Sequence, residues 1–122
     1  VRDWLLKNVR IVALIDLPIV FLDTNINTSL IFGYIPKNNE LSKLQEDDYE
    51  IFAHEIEKPG YEVKSVNKVK TIIEKYKIDE NQDLITDKEG SLIIDEDFSS
   101  TYELFREWCK SQENELKELF LW

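Results

Sequence analysis

A mixed α/β fold is predicted, on three observations. Two apolar runs, residues 11–15 (IVALI) and 30–35 (LIFGYI), are short and continuous rather than alternating, the pattern of strands buried on both faces. Apolar residues recur at helical spacing at both ends of the chain, at Val1, Trp4, Leu5 and Val9 and again at Tyr102, Phe105, Cys109, Leu116, Leu119 and Phe120. Between the ends, turn signals at Pro59-Gly60 and in the DKEG of residues 87–90 break the chain into short pieces.

Taken in order, residues 1–8 form the tail of a helix, with Asp3 early and Lys7 and Arg10 late, the favourable order for the helix dipole. The first strand, residues 11–15, follows at once. Residues 16–29 (DLPIVFLDTNINTS) make a polar loop carrying an aromatic, and binding surfaces usually sit on such loops. The second strand, 30–35, closes at Pro36, which cannot donate to a ladder. Residues 38–47 are polar and are expected to be a loop. Residues 49–56 (YEIFAHEI) partly alternate and are expected to return as a strand beside the second one. Ser65 is placed to cap a helix carrying Val66, Val69, Ile72, Ile73 and Tyr76. Residues 84–86 and 92–94 flank DKEG as a small hairpin, with Gly90 suited to a left-handed turn. Ser100-x-x-Glu103 has the form of a capping box and opens a C-terminal helix of about five turns. No internal repeat is evident.

A chain of 122 residues and 14.5 kDa suits one domain, and 43% hydrophobic with 33% charged residues is a globular balance. The net charge of −10 argues against tight nucleic-acid binding by this chain alone. A single cysteine excludes an intrachain disulfide framework and favours a reducing, cytoplasmic setting. The longest apolar stretch, residues 9–21, is broken by Arg10, Asp16 and Pro18 and is too short to span a bilayer, so no membrane partner is expected. No signal peptide is visible. The absence of methionine suggests a piece cut from a larger protein.

Most chemistry-bearing side chains have a plain structural reading. His54 is the only histidine, and one ligand does not make a metal site. Cys109 lies on the apolar face of the last helix and reads as a buried, inert thiol. Asp95, Glu96 and Asp97 precede a helix N-terminus, where the dipole accounts for them. Asp79, Glu80, Asp83 and Asp87 miss the spacing of a calcium loop and read as a solvated face. With Gly33, Gly60 and Gly90 as the only glycines, there is no phosphate-cradling loop. Phe21 is the exception: it is either a core anchor for its loop or a platform on which a base stacks.

The first 37 residues carry a family resemblance. Arg2, Trp4, Leu5, Leu6 and Asn8, then Leu17, Pro18 and Phe21, then Thr28, Ser29, Leu30 and Lys37 stand in the order seen at the end of the catalytic domain of adenine-specific DNA methyltransferases, the methylation subunits of type I restriction-modification systems. DYEIFAHEIEKPGYEVKS, residues 48–65, resembles that family's following segment, although Glu62 stands where it usually has Asp and the basic tract after Tyr61 is reduced to Lys64 and Lys68. Asn25 occupies a loop position where the family often has Gly, and Asn tolerates the same positive φ.

The resemblance implies that residues 1–62 are the edge of a Rossmann-like methyltransferase sheet, residues 11–15 its sixth strand and 30–35 its antiparallel seventh. Residues 63–122 are then a helical tail with a small hairpin packed on the same domain. It implies a parent enzyme that methylates adenine N6 in DNA with S-adenosylmethionine and works with specificity and restriction subunits. Phe21 matches the aromatic that stacks on the extruded adenine, and Thr24, Asn25, Asn27 and Thr28 would line the same pocket. The cofactor loop and the catalytic N-P-P-F/Y motif are absent, so the piece is expected to bind no cofactor, to carry no catalytic residue and to be inactive alone. Without its central strands the edge of residues 30–35 is unpaired and is expected to pair with a second copy. The rival expectation is a non-enzymatic acidic module that binds a basic protein.

Overall fold

The computed structural model describes residues 1–37, 39–112 and 116. Among these, the chain is mixed α and β, with three helices, a three-stranded sheet and a two-stranded sheet. It divides into two compact units, Val1–Asp16 with Ser29–Glu55, and Leu17–Thr28 with Ile56–Trp122.

In the first unit, helix α1 (Arg2–Asn8) passes straight into strand β1 (Arg10–Leu17), because Val9 is already extended while its N–H still reaches the Leu5 carbonyl. β1 is the core strand: Ile11, Val12, Ala13 and Ile15 are all buried. Strand β2 (Thr28–Tyr34) lies on one side of it and strand β3 (Phe52–Glu55) on the other. Ser29 meets Asp16, and Gly33 packs on Val9 and Arg10, so β1 and β2 run antiparallel. β3 runs parallel to β1, with Ala13 opposite Phe52 and Asp16 opposite Glu55.

Three expectations fail in this unit. The returning strand pairs with β1, not β2, and it is shorter than the alternating stretch. Residues 38–47 are not all loop: helix α2 (Glu40–Glu46) forms there, with Leu41 buried and Leu44 half-buried one turn on. Two leucines at i, i+3 are enough of a face when Ser42, Lys43, Gln45 and Glu46 are exposed. β2 is not buried on both faces, since Leu30, Ile31 and Phe32 are all exposed. Its apolar run matches β1's, but it is an edge strand.

Arg10 is the buried charge of this unit, with 1% of its surface exposed. Its guanidinium carbon stands 3.9 Å over the Tyr49 ring, and Nη1 donates to the Ile11 carbonyl. Nη2 has no hydrogen-bond partner. Burial lowers its pKa from the usual arginine value, partly offset by Tyr49 and Tyr34.

In the second unit, strands β4 (Tyr61–Val66) and β5 (Val69–Glu74) form an antiparallel ribbon in unbroken register, Tyr61 opposite Glu74 through to Val66 opposite Val69. This replaces the helix expected after Ser65. The turn residues Asn67 and Lys68 have φ of 52° and 65°, the paired positive values of a two-residue turn whose twist matches its strands.

After the ribbon comes an eight-residue repeat that the sequence reading missed: IDENQDLI at 78–85 and TDKEGSLI at 86–93. Each copy folds the same way. Asp79 Oδ1 accepts from the backbone N–H of Asn81 and Asp83, and Asp87 Oδ1 from those of Glu89 and Ser91. Gln82 and Gly90 take the same turn position with φ of 64° and 84°. Thr86 pairs with Leu92 as the expected hairpin.

Helix α3 (Phe98–Ser111) starts two residues before Ser100. The expected capping box is therefore not used. Ser100 and Thr101 instead donate their hydroxyls back to the Asp97 carbonyl, and Glu96 accepts the Ser99 N–H. The helix stops at an extended Gln112 rather than running unbroken for five turns. Leu116 is again helical and buried, while Leu119 and Phe120 lie outside the described residues. No helix among the described residues is long and apolar enough to cross a membrane.

Candidate functional site

The candidate site is the segment 18–27 between β1 and β2, in the second unit. At its ends, the Ser29 hydroxyl donates to Asp16 Oδ1 at 2.5 Å, which clamps the two strands where the chain leaves and returns. Within the segment, the Tyr61 hydroxyl at the root of β4 donates to the Val20 carbonyl at 2.8 Å. That bond fixes the backbone one residue before Phe21.

Phe21 itself is 48% exposed. A ring so placed is a poor core anchor, because burial is what makes an aromatic stabilise a fold. It keeps surface on which another flat group can lie. Around it in sequence, Asn25 and Asn27 are exposed and Thr24 and Thr28 half-buried. An asparagine amide offers both donors and an acceptor, the combination that reads a purine edge. The Thr28 Oγ1 is buried and has no hydrogen-bond partner. Asn25 is not among the positive-φ residues, so the loop does not use the left-handed turn expected there.

The other chemistry-bearing side chains are placed as follows. The His54 ring is half-buried and lies 6.1 Å from the Phe52 ring at an angle of 22°. No group of three or more metal-ligating side chains occurs among the described residues. Cys109 is fully buried, and burial pushes its thiol pKa up. Asp97 Oδ2 accepts the backbone N–H of Glu57 and Lys58 at 3.0 and 2.8 Å, which ties the segment leading to β4 onto the start of α3. Glu96 is held below the usual carboxylate range, first by its hydrogen bonds with Ser99.

Gly33 packs on Val9 and Arg10, Gly60 is buried at a turn, and Gly90 serves the second repeat turn. Sequence reading found Phe21 but missed Tyr61 as the residue that holds its loop. The only signal was its place in the G-Y pair of the resemblance. Comparison with protein-family models, with curated proteins and with solved structures gives no match.

Proposed function

We propose that this chain is the base-holding edge of a DNA adenine-N6 methyltransferase, whose methyl donor is bound by residues outside the chain. The observation that carries the reading is the half-exposed aromatic ring of Phe21, in the segment that joins β1 to β2 and that also carries Thr24, Asn25 and Asn27. An enzyme that acts on an amino group inside a duplex must swing the base out and stack it on something. In this reading Phe21 supplies the stacking face. Asn25 and Asn27 supply amide hydrogen bonds to the base edge, and Tyr61 positions the loop through Val20. Thr24 and Thr28 line the same pocket. Catalysis would fall to residues upstream, so the chain alone transfers no methyl group. DNA, a specificity subunit and a restriction subunit would be the partners of the intact protein.

A rival reading, an acidic module that docks on another protein, draws support from the exposed Leu30, Ile31 and Phe32 of β2. The parent gene separates the two. The first reading expects an F-x-G-x-G type loop and N-P-P-F/Y upstream of Val1, and adenine methylation by the full-length protein with labelled S-adenosylmethionine. Several hundred upstream residues with neither motif, or a full-length protein that leaves adenine unlabelled, would overturn it.

A further inference from the structure

One stretch of this acidic chain carries a net positive charge. Residues 58–77 hold six of its fifteen basic side chains and two of its twenty-five acidic ones, a local net charge of +4 where the whole chain carries −10. These residues are the β4–β5 ribbon and its two roots. No acidic residue lies between Glu62 and Glu74. That stretch, the outer part of the ribbon, carries Lys64, Lys68 and Lys70, all exposed.

The register places these lysines in three directions. Lys70 stands opposite Ser65, and Lys64 opposite Thr71. Neighbouring pairs along a ribbon point to opposite faces, so Lys70 and Lys64 occupy different faces. Lys68 is at the apex, with φ of 65°, a conformation in which lysine is strained and glycine is not. Glu62 pairs with Lys64 at 2.6 Å and with Lys75 at 3.2 Å. Lys68 and Lys70 make no ion pair among the described residues. Beside them at the tip, Val66 and Val69 are 51% and 63% exposed.

Lys68 at the apex and Lys70 on one face carry the charge that no carboxylate pairs among the described residues, and the exposed Val66 and Val69 lie beside them, which suits a polyanionic groove with apolar atoms on its floor. The major groove of duplex DNA admits a two-stranded ribbon and presents phosphates on both walls and apolar thymine methyls on its floor. Six residues of strand extend about 20 Å, while the Debye length in physiological salt is about 8 Å. The tip is therefore screened from the acidic residues at the root, Asp95 and Glu96 among them.

We infer that the β4–β5 ribbon is a DNA-backbone contact, with Lys68 and Lys70 on phosphates and the Val66–Val69 pair toward the groove floor. The choice of DNA over other polyanions rests on the reading under Proposed function. The ribbon's first residue, Tyr61, is also the one bonded to the carbonyl before Phe21, so the backbone contact and the stacking ring share one mechanical link.

Anisotropy of a labelled 20-base-pair duplex of random sequence, titrated with the 122-residue chain from 50 to 200 mM salt, tests the inference. The expected result is salt-dependent binding that Lys68→Gln with Lys70→Gln weakens at least tenfold, with a log–log salt slope shallower by about two. Lys7→Gln with Lys43→Gln, in the first unit, leaves affinity unchanged, and circular dichroism of all variants matches the parent. The inference is overturned if the two pairs weaken binding equally, if the ribbon pair changes nothing, or if only vesicles of anionic lipid are bound. Methylation plays no part in this readout. A ribbon that binds DNA in a parent lacking the cofactor motifs would sink the methyltransferase reading alone. A methylating parent whose ribbon variants bind normally would sink the ribbon alone.

Discussion

Replacing Gly33 by alanine puts one methyl group where β2 meets β1, and its sign is decided by a single distance. In a strand interior alanine is normally worth about 0.5–1 kcal/mol more than glycine, because the unfolded chain loses less freedom. At this position the added Cβ would stand 2.7 Å from Val9 Cγ1 and 2.8 Å from the Arg10 carbonyl oxygen. Carbon contacts prefer about 3.5–4.0 Å, so something must move by most of an ångström. The Val9 methyl can turn aside. The Arg10 carbonyl belongs to the backbone of β1, which has β3 on its other side and a buried side chain below. Forced shifts of this kind cost about 1–3 kcal/mol, which exceeds the gain. Gly33→Ala should lower stability by about 1–2 kcal/mol, since overpacking exceeds the backbone gain. With a urea slope of about 1–3 kcal/mol per molar, the midpoint should fall by roughly 0.5–1 M. Urea unfolding followed by circular dichroism gives the number. An unchanged or higher midpoint would refute the close packing of β2 on β1.

Four further outcomes are expected. Tyr61→Phe removes the bond to the Val20 carbonyl and should cost about 1 kcal/mol, with faster amide exchange across residues 17–28 read by mass spectrometry; unaltered exchange there would show that Tyr61 does not hold the loop. Lys68→Gly relieves the positive-φ strain at the ribbon tip and should raise stability by about 0.5–1 kcal/mol, the αL penalty less the entropy glycine adds to the unfolded chain; a lowered melting temperature would contradict it. Glu96 has a depressed folded pKa, so its stabilisation is present above the ordinary glutamate range and is lost as pH falls through that range and below. Glu96→Gln should flatten that part of the acid unfolding curve, and identical curves for the two proteins would exclude the role. Cys109 is buried with its thiol pKa raised, so iodoacetamide should label it only after denaturation, and prompt labelling of the native chain would place the thiol at the surface.

What could be read from the sequence alone was what depends on near neighbours along the chain. The run IVALI declared a buried strand because every second residue on either face is apolar, and β1 is that strand. The position of Phe21 in a polar segment was legible for the same reason, as were Gly90's turn and the helical spacing behind Phe98. The ribbon was not legible, because Val66, Val69 and Ile72 fit a period near three while Val63, Ser65 and Thr71 fit a period of two. Pairing between β4 and β5 across the Asn67-Lys68 turn settled it, and pairing is a property of two segments rather than one. The partner of β3 was equally hidden, since Ala13 and Phe52 are close only through the fold. Two similar apolar runs gave one core strand and one exposed edge, because burial depends on what packs against a strand and not on its own composition. Tertiary structure alone tied Tyr61 to the loop of Phe21, joining residues some forty positions apart.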